Sequence, residues 1–248
     1  LQDVIKLISS RVLKDDVLDI PPKTYNRRQV FLSKEQVRVY NSLRDEHMAV
    51  MSSGQVVTVD MKMTLLLRLQ QVLAGYLPVN DEEPVERIGK SNPRIESLEE
   101  WCEQSSKQGL IWSRFRIEID DIMKMLGPKA VRYDGSITED QAARNKAAFQ
   151  AGDVQWFVGN PAKGATGLTL TQGKVVAYQS NSFRLYHRLQ SEDRTHRGGQ
   201  TDRVAYTDMC GVFPDGEPTI DEKIIQNLRG KIEIAAAVTG DGFREWVH

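Results

Sequence analysis

The stretch Val154-Gln-Trp-Phe-Val-Gly-Asn-Pro-Ala-Lys-Gly-Ala-Thr-Gly-Leu-Thr-Leu170 decides the fold. It opens on a β-branched and aromatic run, VQWFV, and passes straight into Gly, Ala and Thr. A buried strand that ends in small residues is the pattern of a chain turning at the carboxyl edge of a sheet. Working outward, the same alternation repeats. Leu110-Ile111-Trp112, Lys129–Tyr133, Lys174–Tyr178 and Arg203–Thr207 read as strands. Between them Ile119, Ile122, Met123 and Leu126 recur at helical spacing, and Thr138 with Gln141 forms a capping-box pair before a helix reaching Gln150. Phe183–Asp193 reads as helix, and Thr219 with Glu222 caps a last helix carrying Ile224, Leu228 and Ile232. Near-continuous apolar strands separated by helices predict an α/β fold, a parallel sheet with helices on both faces.

Upstream the pattern is mainly helical. Ser33 and Gln36 have capping-box spacing, followed by Val37, Tyr40 and Leu43, and Met61–Leu73 is a dense run of helix formers. Pro21-Pro22 breaks an opening helix, and Thr24–Leu32 behind it reads as extended. Pro93 suits a first helical turn, with Ile95, Leu98 and Cys102 along one face. Residues 78–92 carry two Pro, a Gly and the acidic run Asp81-Glu82-Glu83, and so mark a boundary. The expected division is residues 1–90, a helical segment, and residues 91–248, the α/β part.

The 248 residues hold 33 Lys+Arg against 34 Asp+Glu, a net charge of −1. That excludes a bulk polycation, so contact with nucleic acid requires a local basic patch. No apolar run has the length of a membrane span, and membrane partners are not expected. Cys102 and Cys210 have no partner spacing for zinc or a thiol pair and read as reduced residues of an intracellular protein. Leu1 in place of Met leads us to expect a piece of a longer protein.

Ligands of such sheets gather at the carboxyl ends of the strands. Gly164–Leu170 lets a backbone approach a phosphate or ribose, or is simply a tight turn. Gly159–Thr166 imitates P-loop spacing, but Ala165 stands where the essential Lys belongs, so it is not a nucleotide-hydrolysing loop. In Gln190–Gln200, QSEDRTHRGGQ, Arg194 and Arg197 lie three apart and, in a helical turn, project from one face as a clamp for a polyanion. Glu192 and Asp193 offer these arginines the alternative of pairing on a solvated surface. Ser113-Arg114-Phe115-Arg116 and Tyr133-Asp134-Gly135-Ser136 are strand-end loops whose hydroxyls and amides suit backbone phosphates, or ordinary turns. His47, His187 and His248 lack metal-ligand spacing, and no metal ligands are expected on this chain.

The ordered series LIWSRF, RYDGSIT, GATGLTLT, QSEDRTHRGGQ and TIDEKI resembles the second RecA-like lobe of superfamily 2 helicases, nearest the Swi/Snf-like DNA translocases. Arg11–Lys23, LSKEQVRVY and LLLRLQQVL resemble the segment that links the two lobes and begins the second. The resemblance implies roles for single residues. Arg194 and Arg197 would be the motif VI arginines that reach the phosphates of ATP, with Gln190 setting their segment. Gly167, Leu168 and Thr169 would lie by the ribose as motif V. Ser113, Arg114, Gly135, Ser136 and Thr166 would lie along DNA, double-stranded in this family, with Arg144 on the supporting helix.

The sequence departs from the pattern at Thr169, where the family has Asn, and at Gly198, where Ile is common. Asn160-Pro161 replaces a Ser/Thr pair, and no Trp-Asn-Pro precedes motif VI, as in a divergent bacterial or phage branch. The resemblance further implies ATP and Mg²⁺, the Mg²⁺ held mainly by a first RecA-like lobe. It places the protein in the cytoplasm of a bacterial or phage-infected cell, or in the nucleus of a eukaryote. This chain alone is expected to be inactive as an ATPase. Competing with the motor is a non-catalytic nucleic-acid-binding module or degenerate lobe. A small-molecule enzyme on a Rossmann-like sheet lacks the GxGxxG and acidic ribose partner it needs.

Overall fold

The computed structural model describes residues 19–52, 58–77, 85–164 and 168–239. The expected opening helix, Asp81–Glu83, Ala165, Thr166, Gly167 and His248 lie outside these residues. Eight strands are present among them: β1 (Thr24–Phe31), β2 (Tyr76–Leu77), β3 (Glu86–Arg87), β4 (Gly109–Trp112), β5 (Ala130–Tyr133), β6 (Trp156–Gly159), β7 (Val175–Tyr178) and β8 (Ala205–Val212). The helices are α1 (Lys34–Ser52), α2 (Val59–Leu73), α3 (Pro93–Glu103), α4 (Arg116–Leu126), α5 (Glu139–Ala151), the single turn α6 (Pro161–Gly164), α7 (Leu185–Glu192) and α8 (Ile220–Thr239).

The main sheet has the order β1-β8-β7-β4-β6-β5. Strands β5, β6, β4, β7 and β8 pair in parallel. The Thr24 amide donates to Val204 and the Leu32 amide to Val212, so β1 runs alongside β8 in the same sense. The β-branched and aromatic runs are therefore strands because both their faces are covered. Leu110, Phe157, Val176 and Tyr206 are fully buried in one cluster with Trp112, Phe149 and Leu170. Two glycines let the strands carry large rings. Gly109 sits opposite Trp156 and Gly159 opposite Trp112. A Cβ on Gly109 would meet the Trp156 ring at 2.5 Å, and one on Gly159 would meet the Tyr133 carbonyl at 2.7 Å.

The chain divides into two compact units. The first takes residues 1–27, 105–208 and 224–248, and so holds most of the sheet and helices α4 to α7. The second takes residues 28–104 and 209–223, and holds α1, α2, α3 and the β2–β3 hairpin. Within the second, the Ser33 hydroxyl accepts from the Gln36 amide at 3.2 Å while the Gln36 side chain returns to the Ser33 amide at 3.0 Å, a reciprocal cap. Asn92 caps α3, whose first residue is Pro93, and α3 buries Arg94 in an ion pair with Asp221.

In the first unit the capping box of Thr138 and Gln141 starts α5 as its spacing predicts. α7 ends at Glu192, within one residue of the expected Asp193, whereas β8 departs from expectation by running on to Val212 through Asp208, a charge that hides a strand from pattern reading. Thr219 accepts from the Asp221 amide at 3.3 Å at the start of α8, where a pairing with Glu222 was expected.

Candidate functional site

Parallel strands deliver Ser113, Asp134, Asn160 and Gln179 to one edge of the sheet, directly after β4, β5, β6 and β7. The chain then runs from α6 to Leu168–Leu170, where Leu168 and Leu170 are buried and pin the backbone. Against this segment lies the turn that follows α7. Arg194 gives one guanidinium nitrogen to the Leu168 carbonyl at 3.1 Å and another to Gln190 Oε1 at 2.7 Å. Arg197 reaches the same carbonyl at 3.5 Å and the Thr169 hydroxyl at 3.2 Å. The Leu170 amide donates back to the Arg194 carbonyl at 2.8 Å. Gln150 on α5 donates to the Thr169 carbonyl, and Gln200 donates to the carbonyls of Thr171 and Thr195 at 3.0 and 3.1 Å.

The expectation that both arginines project from one helical face is thereby corrected. α7 has ended, and irregular turns carry them to a shared carbonyl instead. Their surroundings also differ. Arg194 is 7% exposed and Arg197 is open to solvent. Burial lowers the pKa of Arg194, and the neighbouring Arg197 charge adds to this, but a guanidinium keeps its proton regardless.

Glu192 does not pair with these arginines. Its carboxylate is fully buried and accepts from Lys23 Nζ at 2.7 Å, Tyr25 OH at 2.8 Å and Arg188 Nε at 2.7 Å. Arg188 in turn donates to both carboxylate oxygens of Asp208, at 2.5 and 3.1 Å, and to Asn181 at 3.0 Å, and lies 3.6 Å from the centre of the Tyr178 ring. The Arg188–Glu192 spacing of four was the available signal in the sequence; the remaining partners are distant in the chain.

Burial works to raise the Glu192 pKa, yet Lys23 and Arg188 outweigh it and hold it at about 2. Asp134 is likewise held at about 2, because the Arg132 guanidinium and the Ser136 hydroxyl and amide overcome its burial. Both folded values lie below the unfolded ones, so the stabilisation is complete above the ordinary carboxylate range. It is lost as pH falls from about 4.5 towards 2. Melting temperatures by circular dichroism should therefore fall steeply across that interval, and a flat profile there would contradict the two buried carboxylates.

At the strand edge, Ser113 is fully buried and its hydroxyl donates to Glu118 at 2.6 Å. The Ser180 hydroxyl also donates to Glu118, at 2.5 Å, and accepts from the Arg114 amide at 2.8 Å. Ser113 is thus corrected from a phosphate contact to an internal brace, because its hydroxyl points at a buried carboxylate. Arg114 is half-buried, with its guanidinium over the Phe115 ring, and Asn160 donates to its carbonyl at 2.9 Å. Gly135 and Ser136 are exposed, and Lys163 Nζ donates to the Asp134 carbonyl at 3.0 Å beneath them. Arg144 is exposed on α5. Of the residues expected beside DNA or ribose, Thr166 and Gly167 lie outside the described ones. Among the described residues, no three His, Cys, Asp or Glu converge as metal ligands, and no helix is long and apolar enough to cross a membrane.

Residues 93–199 match the helicase conserved C-terminal domain family. That segment holds the Arg114 loop, the Gly135-Ser136 turn, Leu168-Thr169 and both arginines. Over this segment the chain is similar to helicase C-terminal domains. The chain as a whole is also similar to longer proteins. It is 26% identical to a probable chromatin-remodeling complex ATPase chain of Oryza sativa over 98% of this chain and 23% of that protein. It is 24% identical to the ISWI chromatin-remodeling complex ATPase CHR11 of Arabidopsis thaliana, over 98% of this chain and 24% of that protein. The chain therefore spans about a quarter of the length of these curated relatives.

Among solved structures, the C-terminal part of the Fun30 ATPase domain superposes with a TM-score of 0.66 at 19% identity, covering 84% of this chain and 89% of that one. The Sulfolobus solfataricus SWI2/SNF2 ATPase core, solved in complex with dsDNA, gives 0.64 at 22% identity, covering 89% of this chain and 47% of that one. The chain thus has the RecA-like α/β fold of these solved structures.

Proposed function

We propose that this chain is the second motor lobe of an ATP-dependent DNA translocase or helicase. In this reading residues 1–90 form the linker and helical segment, and residues 91–248 the lobe. The observation that carries it is the pair of guanidinium groups tied to one carbonyl, Arg194 buried and Arg197 exposed 3.2 Å from the Thr169 hydroxyl. Arg197, anchored on its protein side, open on the other and backed by the buried Arg194, fits a triphosphate.

Phosphoryl transfer spreads negative charge over the equatorial oxygens, and a held arginine stabilises that charge without reorganising. Arg197 supplies it directly. Arg194 and its partner Gln190 fix the turn, and in this reading Leu168, Thr169 and Gly167 would serve the ribose. The phosphate-gripping lysine, the acid that holds Mg²⁺ and the base that orients water belong to a first lobe in the same protein. ATP bound between the lobes would supply the energy for a step along DNA. Arg114, Gly135, Ser136 and Thr166 form the lobe's contact with the duplex backbone, Ser113 bracing them from within. The compartment follows the host: the nucleus in a eukaryote, or the cytoplasm of a bacterial or phage-infected cell.

A turnover assay with duplex DNA tests the reading. The chain by itself should hydrolyse no ATP above background, and the full-length protein should hydrolyse it with DNA stimulation. Robust hydrolysis by the chain alone, or a full-length protein indifferent to both ATP and DNA, would overturn it.

A further inference from the structure

The arginine turn is gripped from an unexpected quarter. Glu192, the last residue of α7, lies two residues before Arg194. Lys23 Nζ at 2.7 Å and Tyr25 OH at 2.8 Å converge on the same carboxylate oxygen, Oε2. The Glu192 carbonyl accepts from the Tyr206 hydroxyl at 3.1 Å, and the Tyr25 ring stacks on the Tyr206 ring at 5.3 Å. Further along the turn, the His196 imidazole Nε2 meets the Pro21 carbonyl at 2.9 Å. Residues 21–25 thus hold the turn on both sides of Arg194. The strand ladder of β1 requires only backbone groups, so this side-chain convergence is additional to it.

We propose that Lys23 and Tyr25 are positioning residues for Arg194 and Arg197, a latch that ties the segment entering β1 to the arginine turn. The proposal rests on the motor reading above. With the latch closed, the Glu192 carboxylate is saturated and α7 ends where Gln190 can hold Arg194. Displacing residues 21–25 strips Glu192 of its ammonium and phenol donors. A fully buried carboxylate left with fewer donors favours rearrangement toward water. The end of α7 and the turn beyond it then loosen, and the guanidinium groups lose their aim. The position of whatever precedes Lys23 is in this way reported to the arginines.

The experiment uses the full-length protein and DNA-stimulated ATP turnover, with Lys23→Met, Tyr25→Phe, their double variant, Lys23→Arg and the control Arg197→Ala. A small misplacement of a catalytic group costs on the order of ten- to a hundredfold in rate. The double variant should therefore lose about that factor in kcat while KM for ATP and DNA affinity stay within about twofold. Lys23→Arg, which keeps a cation at Glu192, should recover most of the rate. Hydrogen exchange of residues 193–200 should quicken in the double variant and not in Lys23→Arg. If the double variant does not fold, Tyr25→Phe carries the test, since it keeps the ring stack and removes only the hydrogen bond.

Wild-type kcat in the latch variants beside an inactive Arg197→Ala would overturn the latch and leave the motor reading standing. An active Arg197→Ala would overturn the motor reading itself. A loss of rate matched by an equal rise in KM, unrescued by Lys23→Arg, would make these residues structural and also refute the latch.

Discussion

Arg197→Ala in the full-length protein is expected to lower ATP turnover by about a thousandfold or more, the range an arginine supplies to phosphoryl transfer. It should do so without lowering the melting temperature. Arg197 is exposed, and its contacts on the protein side are hydrogen bonds of 3.2 and 3.5 Å to Thr169 and Leu168. Surface truncations of this kind usually change stability by within about 0.5 kcal/mol.

Arg194→Ala should behave differently. The residue is 7% exposed, and its guanidinium is bonded to Gln190 Oε1 and the Leu168 carbonyl. Removing it takes two charge-assisted hydrogen bonds from a largely buried site, at about 1–3 kcal/mol, so activity and stability should fall together. Paired measurements of kcat and thermal midpoint on the two variants therefore assign the roles: Arg197 touches the reacting phosphates, and Arg194 shapes the turn that presents it. An Arg197→Ala enzyme within a few-fold of wild type would remove the basis for a motor, and would leave a lobe whose arginines serve only its own packing.

The contrast between these arginines was not legible in the sequence. Their spacing of three suggested a common helical face, yet the fate of each side chain depends on where α7 stops. That end is set by Glu192, whose partners Lys23 and Tyr25 lie 169 and 167 residues away. Elements fixed by near neighbours were legible. The VQWFV and KVVAY strands, the capping boxes at Ser33 and Thr138, and Pro93 in the first turn of α3 depend on neighbours within a few residues. Asp208 was illegible for the opposite reason. A carboxylate inside an apolar strand argues against burial until Arg188 is known to face it. Ser113 was legible as a strand-end residue, but its hydroxyl is claimed by Glu118, five residues on at the start of α4. The β2–β3 hairpin, two residues per strand, is too short to leave a periodic trace.

The largest stability effect should come from Arg188, a residue without any role in the chemistry. Arg188→Met removes a cation paired with both Asp208 and Glu192, two carboxylates fully closed to water. Methionine fills much of the same volume, so the loss is electrostatic and not a cavity. Breaking one side of a buried ion pair costs about 3–5 kcal/mol, and here two carboxylates depend on the same guanidinium. In a chain of this length that corresponds to a drop on the order of 10 °C in melting temperature.

Arg188→Lys restores the charge but not the geometry. An ammonium cannot reproduce donation to both oxygens of Asp208 together with Glu192 and Asn181. It should therefore fall between wild type and Arg188→Met. Asp208→Asn combined with Arg188→Met should recover only part of the loss, because Glu192 still lacks one of its two cations while Lys23 remains. If all three variants melted with the wild type, the buried charges would have to be satisfied by water entering the sheet edge, and the rigidity attributed to the α7 terminus would disappear with them.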